Sequence, residues 1–353
     1  MPPLTDDELA LRAGYLGGTD MAALAGVSTW SRPIDVFYEK RPDLAPPGWG
    51  RKPTNAAMSM GHVLEPVVAD LFTLATGVRL RRLPRSLRCK DHPWEGGNLD
   101  RRAACGGVFE AKWTTARTGW GPMAPPELEL HEPYPVPAGE LPPVPAAYYV
   151  QVQWYMHIAR RAHAHLAVLL GYGEFRHYTL ARNDDMVEVL VRLGEDFWHG
   201  NVVPGVPPPP DGSDSWSAAV RARYPTDSGE ELPATPEQWL ALQTLRGIRH
   251  DAAELSKADA EICQRLQDQM RTAAALVGDG VRVSWAQTKP VLKVRWEEML
   301  TDMLRGDYAA NGKPWPTTKK AAAELVRQFA TDQGWATTEP GARPFKVTFS
   351  DEE

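Results

Sequence analysis

The stretch GGVFEAKW, residues 106–113, decides how the rest of the chain is read. Successive side chains of an extended strand point to opposite faces. Phe109, Ala111 and Trp113 therefore share one face, and Glu110 and Lys112 share the other. The apolar face calls for a covering layer, while the acid and the ammonium, two residues apart, reach one common point. A lone Glu-x-Lys pair on a strand is common, so its meaning depends on what flanks it.

Upstream, GGNLD (96–100) brings a second acid, Asp100, into another strand-like segment over 96–103, and a third such segment covers 78–90. Before these, Val63, Leu64, Val67, Val68, Leu71, Phe72 and Ala75 recur at helical spacing, predicting a helix over 56–75 that carries Glu65 and stops at Gly77. Residues 5–45 read as short helices and 42–53 as a loop. Downstream, 117–145 holds nine prolines and excludes regular structure. A helix then begins near Ala146, followed by strands over 164–170 and 175–181 and a helix over 184–199. The pattern predicts an α/β fold with a small mixed sheet flanked by helices.

The run 204–210 has five prolines in seven residues and marks a linker. Three parts are expected: 1–203 as the α/β domain, 204–235 as linker with a short helix, and 236–353 as a mostly helical domain. In the last part Leu245, Ile248, Ala252, Leu255, Ile262, Leu266, Ala273 and Leu276 keep three- and four-residue spacing, as in a coiled coil. Packing within the chain is the expected use of that seam, with self-association the alternative. A hairpin is expected from 281–285 and 291–296, a helix near 317–332 and a final strand over 345–349.

The net charge of −6 speaks against a protein that coats nucleic acid, though not against an enzyme that grips it locally. Six basic residues and no acid lie between Arg79 and Lys90, either a DNA-contacting strip or a solvated strand face. No apolar run approaches a membrane span and the acidic N-terminus is no secretory signal, so a cytoplasmic protein without a membrane partner is expected. Cys89, Cys105 and Cys263 form no CxxC pair, which argues against disulfides or a zinc ribbon. His157, His163 and His165 gather near a helix–strand junction, but with no cysteine expected beside them zinc is not assigned there. Most of the thirteen tryptophans are read as core or interface packing residues.

Three acids converging with a lysine suit phosphodiester hydrolysis. That reaction needs a divalent cation to neutralise the phosphate and acidify water, and hard magnesium takes carboxylates, a backbone carbonyl and waters. Lysine can orient or deprotonate the water and meet charge growing on the phosphate.

The ordered words GGTDMAALAG (17–26), MGHVLEP (60–66), GGNLD (96–100), GGVFEAKW (106–113) and VPAAYYVQVQWYMHI (144–158) resemble the YqaJ-like, lambda-exonuclease-like viral recombinases of the PD-(D/E)XK nuclease superfamily. The resemblance covers about residues 10–200. It implies a restriction-endonuclease-like core in which Glu65, Asp100, Glu110 and the carbonyl of Ala111 hold Mg2+, with Mn2+ able to substitute, and Lys112 is catalytic. Arg12 and Thr19, spaced as in the family's terminal-phosphate grip, would hold a 5′-phosphate with Asn98 and Gln151. It further implies a 5′ to 3′ double-strand exonuclease acting on DNA ends in phage-type recombination, in a bacterial host cell. A single-strand annealing partner and a ring-like trimer belong to the same expectation. Arg101 departs from the family's Asp-Gly, and Asn98 replaces a serine; both bear on end binding more than on the metal site. The rival readings are an endonuclease of the same fold and an inactive DNA-end-binding or scaffold protein. Scattered cysteines speak against the CRISPR-associated adaptation nuclease, which needs four for an iron–sulfur cluster.

Overall fold

The computed structural model describes residues 6–47, 49, 56–83, 86–123, 140, 142–171, 173–278, 281–285 and 296–333. Its contacts divide the chain into two units, Met1–Pro225 and Thr226–Glu353.

The first unit opens with three short helices, α1 (Asp6–Ala13), α2 (Gly18–Leu24) and α3 (Pro33–Lys40), the last with proline in its first turn. Helix α4 (Ala56–Thr76) follows and ends where Gly77 turns to φ 73°. Pro66 lies inside α4, next to Glu65, and gives up one intrahelical hydrogen bond there. Strands β1 (Leu80–Arg81), β4 (Arg101–Ala103), β5 (Val108–Thr114), β6 (His163–Leu170) and β7 (Glu174–Ala181) make a five-stranded sheet in the order β1-β4-β5-β6-β7. β5 and β6 are parallel and the other neighbours antiparallel, so the sheet is mixed. A small ribbon pairs β2 (Leu87–Arg88) with β3 (Gly96–Gly97).

Helix α5 (Ala146–Ala159) makes the crossover from β5 to β6, and α6 (Asp184–Phe197) closes the layer after β7. Alternation along the strands feeds two cores. On one side Leu16, Met21, Phe37, Trp154, Leu166 and Leu170 pack among α2, α3, α5 and the sheet. On the other, Val68, Ala69 and Phe72 of α4 meet Phe109, Ala111 and Ala167. The mixed sheet flanked by helices is thus the architecture the sequence predicts, with Phe109 and Ala111 on the apolar face. Trp154 follows the packing reading, fully buried and donating to the carbonyls of Leu16 and Gly96, whereas Trp30, Trp239 and Trp285 are exposed.

Helix α7 (Asp214–Arg223) falls within the stretch expected to link the two parts, yet it packs on the first unit. Ala219 is buried there, and Arg223 donates to the Tyr38 hydroxyl. In the second unit α8 (Pro236–Met270) is one unbroken helix of 35 residues, capped by Thr235. Of the expected seam, Ile248, Leu255 and Ile262 are exposed along it, Leu245 and Leu266 are half-buried, and Leu276 lies beyond the helix, so full intrachain cover of the seam is not found among the described residues. The first arm of the expected hairpin is a strand, and its observed partner precedes it in the chain. β9 (Val281–Ser284) pairs backwards with β8 (Ala275–Gly278), and Trp296 opens α9 (Trp296–Ala310). Residues 291–295 and the strand expected over 345–349 lie outside the described residues. The last described helix is α10 (Lys319–Asp332).

Candidate active site

The pleat of β5 turns Glu110 and Lys112 to the α5 side, where they meet directly: Lys112 Nζ donates to Glu110 Oε1 over 2.7 Å. The same oxygen accepts from Gln151 Nε2 on α5 at 2.8 Å, and Gln151 also donates to the Tyr155 hydroxyl at 3.0 Å. Asp100, just before β4, takes the backbone N–H of Ala111 on Oδ2 at 2.8 Å. Glu65 reaches in from α4, its Oε1 accepting from Arg101 Nη1 at 2.6 Å. The structure therefore brings Glu65, Asp100, Glu110, Ala111, Lys112 and Gln151 together. Close packing of α2 on α5 fixes Gln151, because a Cβ on Gly18 would stand 2.7 Å from Gln151 Cγ and 2.8 Å from the Tyr155 ring.

The electrostatics are strained. Burial, reinforced by the neighbouring charge of Glu110, holds the Asp100 carboxyl well above the usual carboxylate range. Burial likewise raises Glu110, with Glu65 adding to the rise and Lys112 opposing it. Burial alone would lower Lys112, but Glu110 and Asp100 outweigh it and hold its proton more tightly than in water. The Lys112 ammonium also lies 4.9 Å over the ring of Tyr148. Glu110 Oε2 is buried and is the side-chain oxygen left without a hydrogen-bond partner among the described residues. Native proteins seldom bury a polar atom unpaired, and one at a carboxylate cluster marks a place built for something positively charged.

The remaining terminal-phosphate candidates flank this cluster at a remove. Asn98 is exposed, and its Oδ1 accepts from the Tyr15 hydroxyl at 3.3 Å. Arg12, at the end of α1, stands 3.7 Å from Glu39. Burial opposes its charge, but Glu39, Asp20, Tyr15 and Tyr155 together raise its pKa. Thr19 is exposed in the first turn of α2.

Sequence reasoning missed several participants. Arg101, read as a departure from the family pattern, is the buried partner of Glu65. Tyr148 and Tyr155 were visible only as members of a helix. Lys40 is buried and pairs with Asp20 at 2.7 Å, and Asp20 also accepts from the N–H of Gly17 at 2.8 Å, fixing the turn before α2. The basic run 79–90 has one settled member. Arg88 donates to the carbonyls of Leu11 and Gly14 and lies 4.6 Å over Tyr15, so it braces the N-terminal helices. Arg85 lies outside the described residues.

The histidine group also needs correction. Cys105, 58 residues before His163 and 60 before His165, stands against both rings. His157 belongs elsewhere. Its Nε2 is 3.0 Å from one oxygen of the fully buried Glu95, while His92 Nδ1 is 3.1 Å from the other.

The family model described as the YqaJ-like viral recombinase domain matches residues 9–162. The "Uncharacterized protein YqaJ" of Bacillus subtilis (strain 168) is 24% identical over 298 residues, covering 82% of this chain and 85% of that one. Among solved structures, the alkaline exonuclease LHK-Exo from Laribacter hongkongensis is similar with a TM-score of 0.42 and 15% identity, over 57% of this chain and 94% of that one. A phage related exonuclease from Haemophilus somnus 129PT has a TM-score of 0.35 and 11% identity, over 54% and 96% of the two chains. No helix among the described residues is long and apolar enough to cross a membrane.

Proposed function

We propose, from the match of residues 9–162 to the YqaJ-like viral recombinase domain, that this chain is a divalent-metal-dependent deoxyribonuclease, a 5′ to 3′ exonuclease acting on double-stranded DNA ends. The observation that carries the reading is Glu110, a buried carboxylate with one oxygen engaged and the other orphaned, beside an Asp100 whose charge the site resists. With all three acids ionised, the two cations Lys112 and Arg101 fall one charge short, and burial resists the charge on Asp100, an imbalance that a bound divalent cation would more than offset. Glu65, Asp100, Glu110 and the carbonyl of Ala111 are the residues that would hold Mg2+, or Mn2+ in its place. Such an ion supplies Lewis acidity toward the phosphate and a lowered pKa for its water.

The chain's own residues supply the rest. Gln151 and the Ala111 N–H fix the orientations of Glu110 and Asp100, so these groups need little rearrangement before reaction. Lys112 holds its proton on Nζ through the two carboxylates that a cation would also claim. A cation held by the same acids would weaken that hold, and burial would then favour a neutral amine able to take a proton from water. Arg101 brings a buried guanidinium to the same edge, a planar donor suited to a phosphate oxygen. Arg12, Thr19 and Asn98 are assigned to the 5′-phosphorylated end. A role in recombination with a single-strand annealing partner, and a ring-like homo-oligomer, complete the reading.

The test is a time course on linear duplexes carrying 5′-phosphate or 5′-hydroxyl ends, with Mg2+, alongside Lys112→Ala and Glu110→Ala. Release of nucleotides from phosphorylated 5′ ends, lost in both variants, is expected; undiminished activity in either variant removes the assignment. The Arg101–Glu65 pair favours one rival, an end-binding protein whose helix acid is permanently neutralised. Tight DNA binding without product in Mg2+ or Mn2+ would establish it, and cutting of closed circular DNA would establish an endonuclease.

A further inference from the structure

Cys105, His163 and His165 converge from two elements that the sequence keeps far apart. Cys105 sits in the tight turn between β4 and β5, closed by Gly106 N–H to Ala103 O at 3.0 Å and Ala103 N–H to Gly107 O at 2.9 Å, with Gly106 at φ 97°. His163 and His165 alternate on β6 and so project from the same face. Cys105 Sγ lies 3.5 Å from His163 Nε2 and 3.1 Å from His165 Nε2, and all three donor atoms lie within 4.8 Å of one another.

We infer that these three side chains form a second metal site, selective for a borderline-soft divalent ion such as Zn2+, with a fourth position open to solvent beside Cys105. Zinc bonds to sulfur at about 2.3 Å and to imidazole nitrogen at about 2.0–2.1 Å, which in a tetrahedron puts sulfur and nitrogen roughly 3.5 Å apart. The observed separations are already close to that spacing. A metal engages all three donors at once.

The surroundings fit a ligand trio. His165 is fully buried, and its Nδ1 is 3.0 Å from Thr179 Oγ1, an orienting contact that leaves Nε2 for the ion. Burial together with His163 and His177 keeps that ring neutral, with a pKa of about 3. Gly107 makes room for His163, since a Cβ there would fall 2.5 Å from its Nε2. Cys105 is exposed, giving an ion a way in. The other grouping of this kind, Cys89, His92 and Glu95, is less available because both Glu95 oxygens are engaged by His92 and His157. The trio is also separate from the carboxylate cluster: His165 packs on Phe72 of α4, whereas Glu110 faces α5. Binding there would displace the Cys105 proton to solvent and tie the β4–β5 turn to the start of β6, the neighbour of the strand that carries Glu110 and Lys112.

The test is titration of the reduced full-length protein with Co2+ in Mg2+-free buffer, reading the near-ultraviolet sulfur-to-cobalt charge-transfer band. The expected result is one thiolate-bound ion per chain, displaced by Zn2+ and not by excess Mg2+. The band should vanish in Cys105→Ala, weaken in His163→Ala, and persist in Cys89→Ala, Cys263→Ala and Asp100→Asn. Zn2+ should also protect Cys105 from a thiol reagent while exposed Cys263 reacts as before, and should raise the melting temperature only when Cys105 is present. Absence of the band, its survival in Cys105→Ala, or its loss in Cys89→Ala would overturn the assignment. Because Asp100→Asn keeps this site and damages the nuclease site, failure of one reading leaves the other measurable.

Discussion

Asp100→Asn should make the metal-free protein more stable and the enzyme nearly inert. Asparagine keeps an oxygen for the Ala111 N–H and leaves the Lys112–Glu110 pair intact, while removing the carboxylate whose charge burial and Glu110 oppose. The three-against-two charge imbalance disappears. Relieving a destabilised functional site commonly returns about 0.5–2 kcal/mol, and about 2–4 °C per kcal/mol is expected for a unit of this size. In Mg2+ the ranking should reverse. A cation at 100 times its Kd stabilises the wild type by about 2.7 kcal/mol, and the variant should lose most of that gain. If the missing ligand removes about 3 kcal/mol of transition-state stabilisation, the rate falls by roughly two orders of magnitude.

Thermal melts in EDTA and in Mg2+ read the reversal, and pH gives it a second handle. A carboxyl raised on folding stabilises the native state at low pH. That contribution is lost as pH rises from the ordinary value of 3.8 through the raised folded value, at up to about 1.4 kcal/mol per unit. His165 slopes the other way, since its lowered pKa of about 3 removes stability as pH falls below 6.5. The wild-type-minus-variant difference therefore isolates Asp100, and it should fall with rising pH. An Asp100→Asn protein that melts below wild type in EDTA, or that gains as much from Mg2+, would refute the reasoning.

Lys40→Met should cost about 3–5 kcal/mol by chemical denaturation, because it leaves buried Asp20 without its cation; a loss under 1 kcal/mol would refute that role for the pair. Gly18→Ala should cost about 1–3 kcal/mol and lower activity together, since the new methyl meets Gln151 and Tyr155 at under 3 Å; unchanged activity would separate Gln151 from catalysis. Paired Leu255→Asp and Ile262→Asp changes on α8 should shift the sedimentation coefficient toward that of a monomer without changing the melt of the first unit, and an unchanged oligomer would place the association surface elsewhere.

Much of the site could be read from the sequence because its parts are local and periodic. Glu110 and Lys112 share a strand face through a period of two, and Glu65 lies on a helix whose apolar stripe shows which side it packs. What could not be read are pairings across long separations, where periodicity carries no information: Arg101 with Glu65, Gln151 with Glu110, Cys105 with His165. The β8–β9 pairing was missed for a related reason: 275–278 reads as the end of the long helical pattern, yet it lies close along the chain to 281–284, and a short loop closes at low entropic cost.

The long-range pairings also explain why this site tolerates its own repulsion. Gln151, Arg101 and the Ala111 N–H each satisfy one acid without neutralising the whole, so three carboxylates stay oriented while one oxygen of Glu110 goes unpaired. A cluster fully neutralised by its own lysines and arginines would be a stable ion-pair network with no affinity left for a cation. One left without orienting donors would splay toward solvent. The chain sits between these limits, and that intermediate state, more than the Glu-x-Lys pair alone, distinguishes a candidate metal-binding site from the many strands that carry an acid and a lysine two residues apart.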